Sequence, residues 1–190
     1  DILLYKANFV PTGIDQEPHL EVAREIARKM NQIYGTGFPE PKRFATFGEY
    51  IPSLIGEGKM SKSIEGSYIN LTDSFDEIRK KIRAVPTATL SGGPITGGIK
   101  TLFMLAEIFF PKNIYEQFKE QYHSKTLKFV ELKDALAEAI YQDLKPFQEK
   151  RKQIASDLAY VEKIIKEGAE KARKVGQGTL KEVKEKMGLI

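Results

Sequence analysis

A short apolar run at Phe9-Val10, a turn at Pro11-Thr12-Gly13 and helical spacing from about Asp15 to Ile33 constrain this chain more than any other feature. Leu20, Ala23, Ile26, Ala27, Met30 and Ile33 recur at helical intervals and share one face. Strand, tight turn and helix in that order is the doubly wound α/β pattern, and ligands sit at such strand-to-helix turns. Asp15 is placed to cap the helix, and Pro18 is tolerated in its first turn. Residues 1–7 read as the last turns of a preceding helix. Residues 31–49 read as a loop punctuated by Gly and Pro, and residues 50–55 as another short element.

Beyond about residue 70 the texture is helical. Ser74 with Glu77 makes a capping box, and Phe75, Ile78, Ile82 and Val85 keep helical spacing. Gly92, Gly93, Gly97 and Gly98 mark a flexible connection. Residues 93–101 imitate a phosphate loop, but Ile99 separates Gly98 from Lys100 and no strand precedes them, so they read as a turn. Further helices are expected over residues 99–110, from a cap at Asn113, from Glu131 with a bend at Pro146, and from Asp157. Gly168 punctuates that last one, and a tail begins at Thr179. The expected fold class is α/β over residues 1–70, followed by an α-helical bundle over residues 71–190.

The chemistry is concentrated in Lys59-Met60-Ser61-Lys62-Ser63. Gly56, Gly58 and Gly66 flank it, so it reads as an exposed loop carrying two cations three positions apart. Such a loop can close over a polyphosphate and meet charge as it develops. A random Lys-x-x-Lys would be a solvated loop; the full string is much rarer. Cys is absent, which removes disulfides, thiolate catalysis and Cys-based zinc sites and agrees with a reducing, cytoplasmic location. His19 and His123 stand in no metal spacing, so no metal site is evident. The longest apolar stretch, residues 102–110, is broken by Glu107 and cannot span a membrane. A net charge of +4 permits contact with nucleic acid without demanding it.

The pentapeptide resembles the signature loop of class I aminoacyl-tRNA synthetases, in which both lysines serve the ATP phosphates. Asp1-Ile2-Leu3-Leu4-Tyr5, Val10-Pro11-Thr12-Gly13-Ile14-Asp15-Gln16, Pro18-His19-Leu20-Glu21 and Arg24-Glu25-Ile26-Ala27 are similar to the second half of the catalytic domain of the tryptophanyl-tRNA synthetase family. Leu144-Lys145-Pro146-Phe147-Gln148-Glu149-Lys150-Arg151 and Gly168-Ala169-Glu170-Lys171-Ala172-Arg173 resemble that family's C-terminal helical domain. The resemblance implies the second part of a doubly wound, Rossmann-like nucleotide-binding domain over residues 1–70 and a helical anticodon-binding domain over residues 71–190. It implies formation of tryptophanyl-adenylate from tryptophan and ATP with Mg2+, then transfer to tRNA, by a homodimer. Lys59 and Lys62 would be catalytic. Gly13, Ile14, Asp15, Ile51 and the whole of Lys59, Met60, Ser61, Lys62 and Ser63 would bind ATP, with Gly13 to Asp15 at the ribose and adenine end and Ile51 packing on adenine. Asp1 would accept the indole N–H of tryptophan, with Gln16 also on that substrate. Taken alone, Asp1 is a helix-surface acid, Asp15 a cap and Ile51 a core residue. Lys145, Lys150, Arg151, Lys152, Lys163, Lys166, Lys171, Arg173 and Lys174 would meet tRNA phosphates, which fix position and not specificity.

The sequence departs from that family in two places. The family's His-x-Gly-His-type string is absent, and Pro86-Thr87-Ala88-Thr89 lacks an acid near Thr87. The chain also opens inside an apolar run, so it reads as a piece of a longer protein, expected not to activate tryptophan alone and to expose an apolar strand edge near Phe9-Val10. Two alternatives stand beside the tryptophan reading. A tyrosyl-tRNA synthetase would also use an acid at Asp1, although the Val-Pro-x-Gly-x-Asp-Gln string favours tryptophan. A synthetase-derived, non-catalytic RNA-binding module would need only the helical half.

Overall fold

The computed structural model describes residues 1–45, 48, 50–56, 58–87 and 92–190. Part of the loop expected over residues 31–49, and the Ala88-Thr89 pair, lie outside the described residues. In chain order the elements are β1 (Phe9–Pro11), α1 (Glu17–Tyr34), β2 (Lys42–Phe44), α2 (Phe75–Ala84), α3 (Gly97–Phe109), α4 (Lys112–His123), α5 (Phe129–Ala155) and α6 (Leu158–Lys186). They form two compact units, Asp1–Glu49 with Ile154–Ile190, and Tyr50–Gln153. Residue 70, the expected domain boundary, falls inside the second unit.

The first unit contains a parallel β–α–β crossover. β1 pairs with β2 in the register Phe9↔Lys42, Val10↔Arg43, Pro11↔Phe44, with α1 between them in the chain. This is the expected doubly wound pattern; β2 lies where the sequence reads as loop. Arg24 donates to the Pro41 carbonyl at 2.8 Å, and Arg43 lies 3.2 Å from Glu17, so α1 and the approach to β2 are joined by charged contacts. Leu20 and Ala27 of α1 are buried, yet Ile26 and Ile33 are 46% and 66% exposed, so only half of the expected apolar face is covered. Phe9 is 62% exposed, in agreement with an uncovered strand. α1 is capped at Gln16 without a side-chain hydrogen bond, and Asp15 sits in the short 3-10 turn before it, so the expected Asp15 cap is not formed.

Residues 1–7 make one helical turn with a defined end. The Ala7 N–H donates to the Ile2 carbonyl at 3.1 Å and the Lys6 N–H to that of Leu3 at 3.0 Å, while Lys6 takes φ +49. This is a Schellman closure made without glycine. Lys6 then pairs with Glu182 of α6 at 2.7 Å, and Leu4 rests on Gly176. α6 is a single helix through Gly168, and the expected break before Thr179 is absent; Asp157 caps it as expected, accepting from the Tyr160 N–H at 2.9 Å.

The second unit holds the larger core. Ile78 and Ile82 of α2, Leu102, Leu105 and Ala106 of α3, and Leu132, Leu136 and Ile140 of α5 are fully buried together. The Ser74–Glu77 capping box is present, with the Glu77 carboxylate 2.7 Å from the Ser74 N–H. α5 continues through Pro146, and its buried residues all lie on the N-terminal side of that proline. Asn113 lies inside the first turn of α4, whose cap is Pro111. Lys133 is buried and donates to the Arg83 and Val85 carbonyls at 3.0 and 2.7 Å, closing the C-terminal end of α2, and burial pushes its pKa down.

Gly97 and Gly98 begin α3 instead of linking to it. Gly98 is buried against the end of the α2 segment, where an added methyl would overlap the Pro86 carbonyl oxygen. Gly98→Ala should therefore destabilise the second unit by about 1–3 kcal/mol, the usual cost of overpacking. Urea unfolding checks this: the midpoint should fall with little change in slope.

Candidate functional site

The lysine pentapeptide is mounted on a short antiparallel hairpin. Pro52 bridges Lys59, the Met60 N–H donates to the Ile51 carbonyl at 2.8 Å, and the Ser53 N–H donates to Gly58 at 2.9 Å. Thr101 of α3, itself buried, donates its hydroxyl to the Ser53 carbonyl at 3.1 Å, which fastens the hairpin to the core. Met60 and Ile51 pack partly buried against that core, so the apolar residues anchor the segment while Lys59 and Lys62 stay exposed. Alternation of anchor and cation follows from the spacing.

Beyond Met60 the chain turns on serines. The Ser63 N–H donates to the Ser61 hydroxyl at 3.3 Å and the Ile64 N–H to the Ser61 carbonyl at 3.3 Å. Gly66 follows at φ +75, a conformation that side chains rarely adopt. The next residue, Ser67, is completely buried, and its hydroxyl donates to the Ser61 carbonyl at 2.7 Å and accepts from the Ser61 N–H at 3.3 Å. No sequence signal marks Ser67; a serine after a glycine reads only as turn.

A second polar knot follows the loop. Asp73 is buried, accepts from the Asn70 N–H at 2.8 Å and from the Asn70 side chain at 3.1 Å, and pairs with Lys81 of α2 at 2.5 Å. Lys81 also lies over the Tyr68 ring at 5.2 Å. Gln148 of α5 donates to the Leu71 and Asp73 carbonyls, both at 2.9 Å. Burial alone would raise the Asp73 carboxyl, but Lys81 and Asn70 outweigh it and hold it below the usual range. Sequence reasoning missed this knot, because Asp73 meets Lys81 and Gln148 only in the folded chain.

The remaining candidates divide between the units. Gly13, Ile14, Asp15 and Gln16 are contiguous in the first unit, after β1 and ahead of α1, with Gln16 donating to Asp15 at 3.1 Å. Asp1 is exposed on the opening helical turn of that unit. Ile51 joins the lysine loop directly in the second unit. Lys145, Lys150, Arg151 and Lys152 are exposed on α5; Lys163, Lys166, Lys171, Arg173 and Lys174 are exposed on α6. A cavity of about 420 Å³ borders the hairpin on Pro52 and Gly58, with Lys100 of α3 on its wall. Among the described residues no group of three or more His, Cys, Asp or Glu could hold a metal ion, and no helix is long and apolar enough to cross a membrane.

The chain has clear relatives. A family model described as tRNA synthetases class I (W and Y) matches residues 1–145. The tryptophan–tRNA ligase of Treponema pallidum (strain Nichols) is 35% identical over 193 residues, covering 100% of this chain and 57% of that protein. The structure of tryptophanyl-tRNA synthetase from Mycoplasma pneumoniae superposes with a TM-score of 0.79 at 25% identity, over 100% of this chain and 60% of that one. Tyrosyl-tRNA synthetase from Aeropyrum pernix gives a TM-score of 0.59 at 26% identity, over 78% of this chain and 45% of that one. The chain thus spans little more than half the length of the curated relatives it matches.

The Asp73 knot yields a pH dependence. A carboxyl held below its unfolded value contributes stability that is complete above about pH 4 and is lost as pH falls through its lower folded value. Wild type should exceed Asp73→Asn by about 1–3 kcal/mol at neutral pH. Urea unfolding between about pH 2 and pH 7 should show that difference closing at the acid end.

Proposed function

Because the chain belongs to the class I tRNA synthetases of the tryptophan and tyrosine group, we propose that it carries part of a tryptophan–tRNA ligase, which makes tryptophanyl-adenylate from tryptophan and ATP and passes the amino acid to tRNA. The observation that carries this reading is the pentapeptide held on its hairpin, with Met60 packed inward and both lysines exposed. In that arrangement Lys59 and Lys62 offer ammonium groups to the ATP phosphates, and Met60, Ser61 and Ser63 supply the backbone around them. Similarity to curated tryptophan–tRNA ligases over the whole chain favours tryptophan.

Residues 1–70 belong functionally to the nucleotide-binding domain and residues 71–190 to a helical domain for the anticodon. Gly13, Ile14 and Asp15 serve the ribose and adenine end of ATP, at a strand-to-helix turn of the kind that receives nucleotides. Ile51 lies against adenine, and Asp1 and Gln16 attend tryptophan. Mg2+ enters with ATP as its counter-ion. The exposed cations of α5 and α6 suit tRNA phosphates. The enzyme works in the cytoplasm as a homodimer; size measurement in solution tests the last point.

Lys59→Ala and Lys62→Ala, made in the full-length enzyme, should each lower the rate of adenylate formation by roughly 10²–10³, the scale of losing one charge-stabilising donor. Tryptophan affinity should hardly change. Pre-steady-state ATP–pyrophosphate exchange is the measurement, and a variant that kept its rate would remove the loop from the mechanism.

Asp1→Ala should weaken tryptophan binding by about 1–3 kcal/mol, since the indole N–H would lose its acceptor. An analogue with carbon or sulfur in place of the ring nitrogen should bind wild type poorly and lose little in the variant. Equal losses for both ligands would make Asp1 structural.

A further inference from the structure

We propose that Ser67 is a positioning residue for the lysine loop, a latch whose hydroxyl fixes the backbone of Ser61 and through it the presentation of Lys62. The inference rests on the loop acting on phosphates, as proposed above, and adds the element that holds it in place.

Three observations support it. First, Ser67 has 0% exposure, yet its hydroxyl is spent entirely on one residue, donating to the Ser61 carbonyl at 2.7 Å and accepting from the Ser61 N–H at 3.3 Å. A buried hydroxyl needs partners, but a side chain that brackets both backbone groups of a residue six positions away also sets that residue's orientation. Second, Ser67 is itself tied to the core, because its carbonyl accepts from the N–H of Leu54 at 3.0 Å and Leu54 is 1% exposed. Ser61 therefore reaches the core through two links. Third, Ser61 stands between the two lysines, and its own hydroxyl and carbonyl build the turn that carries Lys62, through Ser63 and Ile64. Lys59 is fixed on its other side by the bridge to Pro52. Releasing Ser61 would leave Lys59 on the hairpin and free Lys62 to swing.

The latch is made of neutral hydrogen bonds alone. Such bonds are strong enough to bias a loop toward one arrangement and weak enough to open when a ligand offers better partners. A charged latch would have competed with the phosphates for the lysines. Ser67 acts through the backbone of Ser61, so its effect belongs to the rate of adenylate formation and not to binding of the amino acid.

The test uses Ser67→Ala, which deletes the hydroxyl, and Ser67→Thr, which keeps it. Amide hydrogen exchange on this chain should show the Ser61 N–H exchanging roughly tenfold faster in the alanine variant, the scale of one lost neutral hydrogen bond. The α3 and α5 core amides should be unchanged, and threonine should restore protection. Unchanged Ser61 exchange in the alanine variant, or loss of protection spread through α3 and α5, overturns the latch. In the full-length enzyme, Ser67→Ala should lower kcat for ATP–pyrophosphate exchange several-fold while KM for tryptophan stays constant. If the lysine variants lose activity and Ser67→Ala does not, the positioning role fails and the proposed function stands. If the lysine variants keep full activity, the proposed function fails, whatever the exchange at Ser61 reports.

Discussion

The hydroxyl of Thr101 on the carbonyl of Ser53 is the contact on which the lysine segment depends. A loop that must present cations to solvent has little apolar surface of its own and cannot hold a shape by burial. It borrows rigidity from α3, whose Leu102, Leu105 and Ala106 are locked in the core within five residues of Thr101. Because Thr101 and Ser53 are both buried, water competes little for the bond. From there the order passes along the hairpin to Lys59, and through Leu54 and Ser67 to Ser61. Short polar links, each anchored on an apolar residue, carry the rigidity outward.

Charge is handled differently in the two units. Around α1, Glu17, Glu21, Arg24, Arg28, Glu40 and Arg43 form a largely exposed network in which each pair contributes little by itself and orientation is the main gain. In the second unit a partly exposed cluster also exists, with Arg79 and Arg83 both on Asp134, but two ionic groups are buried. Asp73 has three polar neighbours around its carboxylate, and Lys133 has two carbonyls at the end of α2. Helix ends and turns next to the core are thereby closed by side chains from distant parts of the chain.

What was legible in the sequence was local. Ser74 and Glu77 declare a helix start because both halves of the box lie within four residues. The pentapeptide declares chemistry because its residue types and spacing are rare together. The misreadings came from contacts made over long distances. β2 is only Lys42-Arg43-Phe44, without β-branched residues, and exists because β1 lies beside it. Gly97 and Gly98 read as linker, whereas Gly98 is present because Pro86 comes too close for a side chain. Gly168 reads as punctuation, yet α6 runs through it and on through Gly176, on which Leu4 packs. In the site, the lysines were visible and the serine that holds their loop was not. A buried hydroxyl is recognised by its neighbours and not by its letter.

The pairing of Lys6 with Glu182 also has a bearing on how the chain acquires its shape during synthesis. A sequence separation of 176 makes this one of the least local contacts available, and closing so long a loop is entropically slow. The stretch Tyr50–Gln153 can complete its own core as soon as it has left the ribosome. The opening turn and the β1–α1–β2 crossover must wait until α6 has been made before Leu4 and Lys6 find their partners. In that interval Leu4 lacks the α6 surface on which it rests in the folded chain. Completion of the first unit is therefore a late step in folding, because it waits on a helix made more than a hundred residues after the crossover.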